Sequence, residues 1–555
     1  MQGSRSADRG RQPCRPPWRR LRTWYDRSCV RKGLRPVALL AFAITAVPVS
    51  TAKAPSVPAA VEHAIGTIDG AELRAHLEAL AADDMGGRGV GQRGNLQAVE
   101  YVVGALRRGR VMPAAADYLH PVDLYQPALG GDSRLTIAAG GARPLADLGA
   151  GPDFFPLPES SDAPVTGPLV FAGHGVSAPA LGYDDYARRD VAGAIALVLD
   201  GAPALERRPG IGDVERAGLT SIERKMADAH AHGALGLLVV RHDPEGPADV
   251  WTAPSSGRYV PYRLLSGLRR VSMAAAVISE AAAKPVRRAL SDDTPLTATI
   301  RPGIEIRKTT VHNVLALAEA DAPAGGEMVV VGAHLDHDGT DDDGRVYNGA
   351  DDNASGTAAV LAVAAAFARA AEAGERPRRR IVFALWNAEE KGSLGSEEYV
   401  ASPVPAGRVV ANLNLDMIGR AEDVPDPADP RFRGFRRTRA AANANTLHVL
   451  GYSRSPDLAA LARRANRSIG LKLKLEYDTG AQGLLRRSDN WPFLQRSIPA
   501  LFFTTGLHPD YHTPDDDVER IDVAKLERIA ELVGRLAWLV AAGEPPRYRE
   551  PQHRE

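Results

Sequence analysis

Five short stretches in the C-terminal half set imidazoles and carboxylates close together. "AHLDHDG" carries His334 and Asp336, "NGADDNASG" carries Asp351 and Asp352, and "NAEEKG" carries Glu389 and Glu390. "NLNLDM" ends near Asp416, and "HPDYHTPDDD" holds His508 and His512. Imidazole and oxygen donors without cysteine suit Zn²⁺ or a harder divalent ion in a hydrolytic site, and they exclude a Cys-type structural zinc. Two metals sharing a carboxylate need two His, two terminal carboxylates and one bridging carboxylate. A further carboxylate must stay unligated to act as base. The count fits, with Glu389 to spare. Taken singly, each stretch has a bland explanation: a His with a hydrogen-bond partner, a charged helix start, a solvated turn.

Convergence is what makes the bland explanations improbable, and the elements predict it. After Glu305 apolar strand runs alternate with helical patterns. "MVVVGAH", "RIVFALWN", "VVANLNLDM" and "IPALFFTT" read as buried strands. "GTAAVLAVAAAFARAA", "LGSEEYVA", "SPDLAALARRAN" and "DVAKLERIAELVGRLAWLVAA" read as helices. The alternation predicts an α/β fold with a mixed, mostly parallel sheet sandwiched by helices. In such sheets functional groups gather beyond the C-terminal ends of strands, where these stretches fall.

Upstream, Leu73, Leu77 and Leu80 have helical spacing, and Asn95 can cap a second helix with Leu96, Val99, Val102, Val103 and Leu106 on one face. Between about Tyr125 and Pro302 the texture is β-rich: "SRLTIAA", "GPLVFAGHG", "GAIALVLDG", "LGLLVV", "AAAVIS" and "LTATIR" are short strand runs, and "SIERKMADAHAHGA" is a helix that packs this region. The organisation read from the chain is a leader over 1–52, N-terminal helices over 53–125, a β-rich insert over 126–304, a catalytic unit over 305–543 and a polar, frayed tail over 544–555.

These motifs, in this order, resemble the co-catalytic zinc exopeptidases of metallopeptidase family twenty-eight, of the aminopeptidase S / aminopeptidase Y type. The resemblance covers roughly 306–541 and the helices before about 125. The insert resembles a protease-associated (PA) domain, through "GHGVSAPALGYDDYARRDVAGAIALVLDG" and "KMADAHAHGALGLLVV". The resemblance implies a phosphorylase/hydrolase-like fold and two Zn²⁺ per chain. It makes Asp352 the bridge, with His512 and Glu390 completing one site and His334 and Asp416 the other. Glu389 becomes the general base for attack by a metal-bridging hydroxide, and Asp336 the holder of the other N–H of His334. It also implies a cis peptide at Asp352–Asn353. Asp351 is left as a neighbour that holds the loop.

The segment "LLRRSDNWPFLQRSIPALFF" departs from the family pattern, which reads Ser-Asp-His near a Tyr that steadies the oxyanion. Here Asn490 replaces the His, and Leu485, Arg486 and Arg487 occupy the Tyr neighbourhood. The oxyanion donor is then Arg486, Arg487 or a zinc ion. "RPRRR" and "DDD" at 341–343 read as solvated loops. "GRGVGQRG" resembles a phosphate loop only in glycine content, since no strand precedes it and no Lys-Ser/Thr follows.

Lys+Arg and Asp+Glu balance at 68 each, so no basic excess points to nucleic acid. "VRKGLRPVALLAFAITAVPVSTAKA" has the outline of a secretory signal peptide cut near Ala52, with an apolar run too short for a stable span in the mature chain. Residues 1–29 precede it as an Arg-rich stretch, which places the expected translation start near Val30. Both cysteines, Cys14 and Cys29, lie in this leader, so no disulfide framework is expected. The reading is an exported, periplasmic or extracellular aminopeptidase acting on peptide substrates. Its alternatives are a glutamate-carboxypeptidase-like enzyme using Arg486, Arg487 or Arg496 for substrate carboxylates, and a catalytically dead binding protein of the same architecture.

Overall fold

The computed structural model describes residues 56–550, apart from 141–143, 159, 203–204, 206–217, 220, 242–261, 268–272, 321–325 and 481. The stretch read as a leader with a signal peptide, which includes both cysteines, lies outside the described residues.

The main sheet is built from β1 (Leu119–Leu129), β2 (Ile304–Ala318), β3 (Glu327–His334), β4 (Arg380–Trp386), β5 (Arg408–Leu415), β6 (Thr446–Leu450), β7 (Lys472–Lys474) and β8 (Ala500–Thr504). Their spatial order is β1-β2-β4-β3-β5-β8-β6-β7, with the short strand Arg263–Leu264 outside β1. The central strands β4, β3, β5 and β8 are mutually parallel, while β2 meets β4 and β6 meets β8 antiparallel. The central strands are nearly continuous apolar runs because helices cover both faces. The fold is thus the expected mixed α/β sandwich.

Strand β2 was not legible as a strand. Its outer half, "IEIRKTT", is charged and exposed, and pairing with β1 over its whole length is what orders it. Ile304 sits opposite Leu129, so the chain leaves the main sheet and returns to it at one point. Strand β1 accordingly continues through residue 125 to Leu129 in the main sheet. Between these strands lies an eight-stranded sheet of its own, and all six of the short runs read from the sequence belong to it.

Helix α1 (Gly70–Leu80) is capped by Asp69, which accepts the N–H of Ala71, and it buries Leu73, Leu77 and Leu80 completely. Each such leucine contributes roughly 1.5–3 kcal/mol of burial. Helix α2 (Arg93–Arg108) corrects the sequence reading twice. Asn95 lies inside its first turn and bonds across to other segments instead of capping, and Leu96 is 54% exposed. The helices α3 (Gly356–Glu372), α4 (Leu394–Ala401), α5 (Pro456–Ala465) and α6 (Val523–Ala542) follow. The alanines of α3 let it press closely on the sheet and α6, and this helix is buried from Gly356 through Phe367. The tail is also not frayed up to residue 550: Tyr548 packs on the core and the Arg549 N–H donates to the carbonyl of Arg454.

Candidate metal centre

All four parallel strands end at the same edge, and each delivers donors there. His334 is the last residue of β3, Glu389 and Glu390 follow β4, Asp416 follows β5, and the loop after β8 brings His508 and His512. Asp351 and Asp352 lie in the turn that opens α3, behind Gly349 in left-handed conformation (φ 58°). A Cβ at Gly349 would fall 2.1 Å from the carbonyl oxygen of Asp352, so only glycine fits. The Asp352–Asn353 peptide is cis.

Asp352 stands between two imidazoles. Its Oδ1 is 3.3 Å from Nε2 of His334 and its Oδ2 is 3.0 Å from Nε2 of His512. Nε2 of His334 also faces Asp416 Oδ1 at 3.4 Å and Glu389 Oε2 at 3.9 Å. Nε2 of His512 lies 3.4 Å from Glu390 Oε2. His334, Asp352 and Asp416 form one group whose donor atoms all lie within 4.8 Å of one another, and Glu390 and His512 belong to a second such group with Asp338. The six residues read as five ligands and a base are therefore brought together.

Asp336 does not act as expected. Its carboxylate is 3.9 Å from Nδ1 of His334, and the nearer acceptor is its own backbone carbonyl at 3.1 Å. The carboxylate instead accepts the backbone N–H groups of Glu389 (3.1 Å) and Glu390 (3.3 Å). It therefore steers the base loop, because a residue two beyond a strand end turns toward the neighbouring strand's loop.

Several contributors went unread. His337 Nδ1 sits 2.8 Å from Glu390 Oε1, and Asp338 Oδ2 sits 3.1 Å from Nδ1 of His512. Ser488 donates to Asp416 Oδ2 at 2.6 Å and accepts from Asn414. Asp516 accepts the backbone N–H groups of both Asp351 and Asp352. Asp351 accepts the N–H of Gly419 at 2.6 Å and lies 3.3 Å from His508 Nε2, so His508 belongs to a buried network behind the loop and not to the donor groups. His337 and Asp338 stood in the quoted "HLDHDG", but alternation at a strand end gives no sign of which residue turns inward.

Burial and charge set the titration of the cluster. Burial raises the Glu389 carboxyl well above the usual range, opposed by His334 and reinforced by Asp489, Glu390 and Asp416. Burial likewise raises Asp416, and it raises Asp336 to about 6 and Asp489 to about 7. His334 is pushed well above its ordinary value although burial opposes this, because Asp416 and Glu389 face it. His512 behaves in the same way beside Glu390, Asp338 and Asp352. Asp352 is held well below the carboxylate range against its own burial by the two imidazoles.

The donor set fits a divalent metal. Nε2 of His334 is buried without a hydrogen bond, and three carboxylates converge on it. Two imidazoles and several carboxylates without sulfur are the ligand chemistry of hydrolytic zinc.

A narrow cleft opens on this cluster. Asp352, Glu389, Glu390, Asp416 and His512 form one side, and Met417, Leu484, Phe502 and Leu507 form an apolar wall. Tyr511 also lines it, with its ring 4.0 Å from that of His512. Burial, then the surrounding carboxylates, raise its phenol well above the ordinary value, so it stays a donor. Of the two arginines, Arg487 reaches the cleft, while Arg486 lies over the ring of Trp491 at 5.1 Å. Arg486 is therefore not among the cleft-lining groups, and Tyr511, beside a residue already singled out, is a cleft-lining hydroxyl that was missed.

Residues 313–537 match the family model for Peptidase family M28, and residues 165–283 match that for the PA domain. Leupeptin-inactivating enzyme 1 of Streptomyces exfoliatus is 30% identical over 253 residues, covering 41% of this chain and 48% of that protein. An aminopeptidase of Pseudomonas aeruginosa (strain UCBPP-PA14) is 38% identical over 117 residues, covering 20% of this chain and 19% of that one. The chain thus spans about half the length, or less, of these curated relatives. Among solved structures, an aminopeptidase from Aneurinibacillus sp. strain AM-1 is similar at 21% identity and a TM-score of 0.46, covering 88% of this chain and 98% of that one.

Proposed function

We propose, for a chain whose residues 313–537 belong to Peptidase family M28 and whose residues 165–283 are a PA domain, that it is an exported di-zinc aminopeptidase. His334 and Asp416 would hold one zinc, His512 and Glu390 the other, and Asp352 both. The observation that carries this reading is the place of Asp352, with one oxygen toward each imidazole and Glu389 alongside. When bound, zinc supplies Lewis acidity to the substrate carbonyl and lowers the pKa of water.

The chain's own groups supply the rest. Glu389 takes a proton from the attacking water and returns it to the leaving amine, a transfer served by its raised affinity for protons. Asp336 fixes the main chain of Glu389 and Glu390. The Tyr511 hydroxyl donates to the substrate oxygen as negative charge develops there, with Arg487 at the rim.

The carboxylate-lined end of the cleft favours a substrate's terminal ammonium over a terminal carboxylate, which supports an aminopeptidase over a carboxypeptidase. The apolar wall suits an apolar first side chain. The test is to strip the protein with chelator, restore zinc, and compare a leucine anilide with an acetylated dipeptide. Zinc-dependent release from the anilide alone is expected. Release from the acetylated dipeptide alone would reverse the assignment.

Export through the signal peptide ending near Ala52 is part of the proposal. N-terminal sequencing of the secreted protein checks it.

A further inference from the structure

The glycine-rich stretch at 86–95 takes no part in the chemistry above and lies outside both matched segments. At its centre Arg88 is 0% exposed and adopts a left-handed backbone (φ 56°). A wholly buried guanidinium normally meets a carboxylate. Here its hydrogen bonds go to backbone carbonyls instead: Nε to Leu335 (2.8 Å), Nη1 to Leu80 (2.6 Å) and Asn348 (2.6 Å), Nη2 to Gly349 (2.9 Å).

The choice of carbonyls is informative. Leu335 follows His334, and Asn348 and Gly349 lead into the Asp351–Asp352 turn. One planar side chain therefore spans both loops that bring His334 and Asp352 together. The carbonyl of Arg88 in turn accepts from Asn95 Nδ2 at 3.0 Å. Asn95 and Asn387 exchange two side-chain hydrogen bonds of 2.9 Å each, and Asn387 lies two residues before Glu389. Gln92 closes the arrangement by both donating to and accepting from the backbone of Thr340. The segment can approach this closely only because of its glycines. A Cβ at Gly87 would fall 2.4 Å from the carbonyl oxygen of Tyr347, and one at Gly89 2.8 Å from Cα of Gly339.

We propose that Arg88 is a positioning residue for the metal centre: through the carbonyls of Leu335, Asn348 and Gly349 it sets the relation of His334 to Asp352, and through Asn95 and Asn387 it ties the Glu389–Glu390 loop to the same frame. The proposal rests on reading the centre as a zinc site. It makes a segment upstream of the insert part of the catalytic unit. Lysine cannot replace Arg88, because a point charge on a flexible stem does not span several fixed carbonyls as a planar fork does.

A buried arginine that merely stabilises the fold is the competing account, and Lys225 separates the two. It is a buried cation on the helix Ile222–Ala231 of the insert that likewise donates to backbone carbonyls, those of His174, Leu199 and Gly201. The full chain is prepared as wild type, Arg88→Lys, Asn95→Ala and Lys225→Met. Zinc affinity is measured by chelator competition, the visible spectrum by cobalt substitution, and Tm by melting. Arg88→Lys is expected to bind zinc about 10–100-fold more weakly, the usual effect of losing a group that holds a ligand in place. Its cobalt spectrum shifts, and Asn95→Ala shows a smaller change of the same kind. Lys225→Met lowers Tm and leaves zinc affinity and the cobalt spectrum alone. Should Arg88→Lys fail to fold, Asn95→Ala decides by itself. Wild-type zinc affinity and cobalt spectrum in the folded variants would overturn the proposal. A wild-type protein that binds no zinc would instead remove the metal reading itself.

Discussion

Asp351 and Asp352 are adjacent in sequence and address different partners. Asp352 has one oxygen toward His334 and the other toward His512, at 3.3 and 3.0 Å. Asp351 takes the N–H of Gly419 at 2.6 Å and faces His508. The first stands between the two imidazoles of the candidate metal centre, and the second anchors the turn to the loop after β5.

Their substitutions should therefore differ. Asp352→Asn is expected to lose zinc and to lower kcat/KM by more than about 100-fold, since outer supporting groups alone cost ~10–100-fold. Asp351→Asn keeps an acceptor for Gly419 and is expected to cost about tenfold or less, with a fall in stability of ~1–3 kcal/mol for the disturbed buried network. Metal analysis, turnover and chemical denaturation of the two variants check the order. The opposite order would mean the bridging carboxylate is Asp351.

Glu389→Gln keeps the shape of the base and removes its proton affinity. Turnover should fall by ~10²–10⁴-fold, with zinc content and KM near wild type. Loss of zinc in this variant would make Glu389 a ligand.

Tyr511→Phe tests the oxyanion assignment. A donor used mainly in the transition state lowers kcat more than it changes KM, by ~10²–10³-fold for one such group. Arg486→Ala is expected to leave turnover unchanged, because Arg486 stacks on Trp491 away from the cleft. Steady-state kinetics of both variants decide between them.

Zinc removal should soften the fold. The centre gathers carboxylates in a buried space, so a cation that binds only the native state stabilises it by ~2.7 kcal/mol at a hundredfold excess over Kd. Chelation should lower Tm and zinc should restore it. An unchanged Tm would argue against tight binding at this site.

His76 supplies a pH dependence away from the centre. Burial first, then Arg108, lower its pKa from 6.5 to about 4. Its imidazole, with Nδ1 at 2.8 Å from the Tyr101 hydroxyl, is therefore neutral in the fold while the unfolded chain protonates below pH 6.5. Stability is complete above that pH and falls as pH drops through the window toward about 4, by at most ~3 kcal/mol. Urea midpoints of the chelated protein between pH 7.5 and 5 should fall more for wild type than for His76→Gln. Equal falls would remove His76 from the account.

The sequence by itself determined the parallel core. "MVVVGAH", "RIVFALWN", "VVANLNLDM" and "IPALFFTT" are strands because continuous apolar runs are stable only when buried on both faces, and the ends of those runs named the donors. Short-range patterning carries that much because it depends on neighbours a few residues apart. Tertiary structure decided what the side chains do on arrival. It gave the carboxylate of Asp336 to the N–H groups of Glu389 and Glu390, brought Tyr511 to the cleft and turned Arg486 away from it. It also joined Arg88 to carbonyls 247 to 261 residues further along the chain. Backbone carbonyls have no sequence signature, since every residue carries one, so a side chain that recognises them leaves no partner type to read. Only the folded path of the chain selects which carbonyls face it.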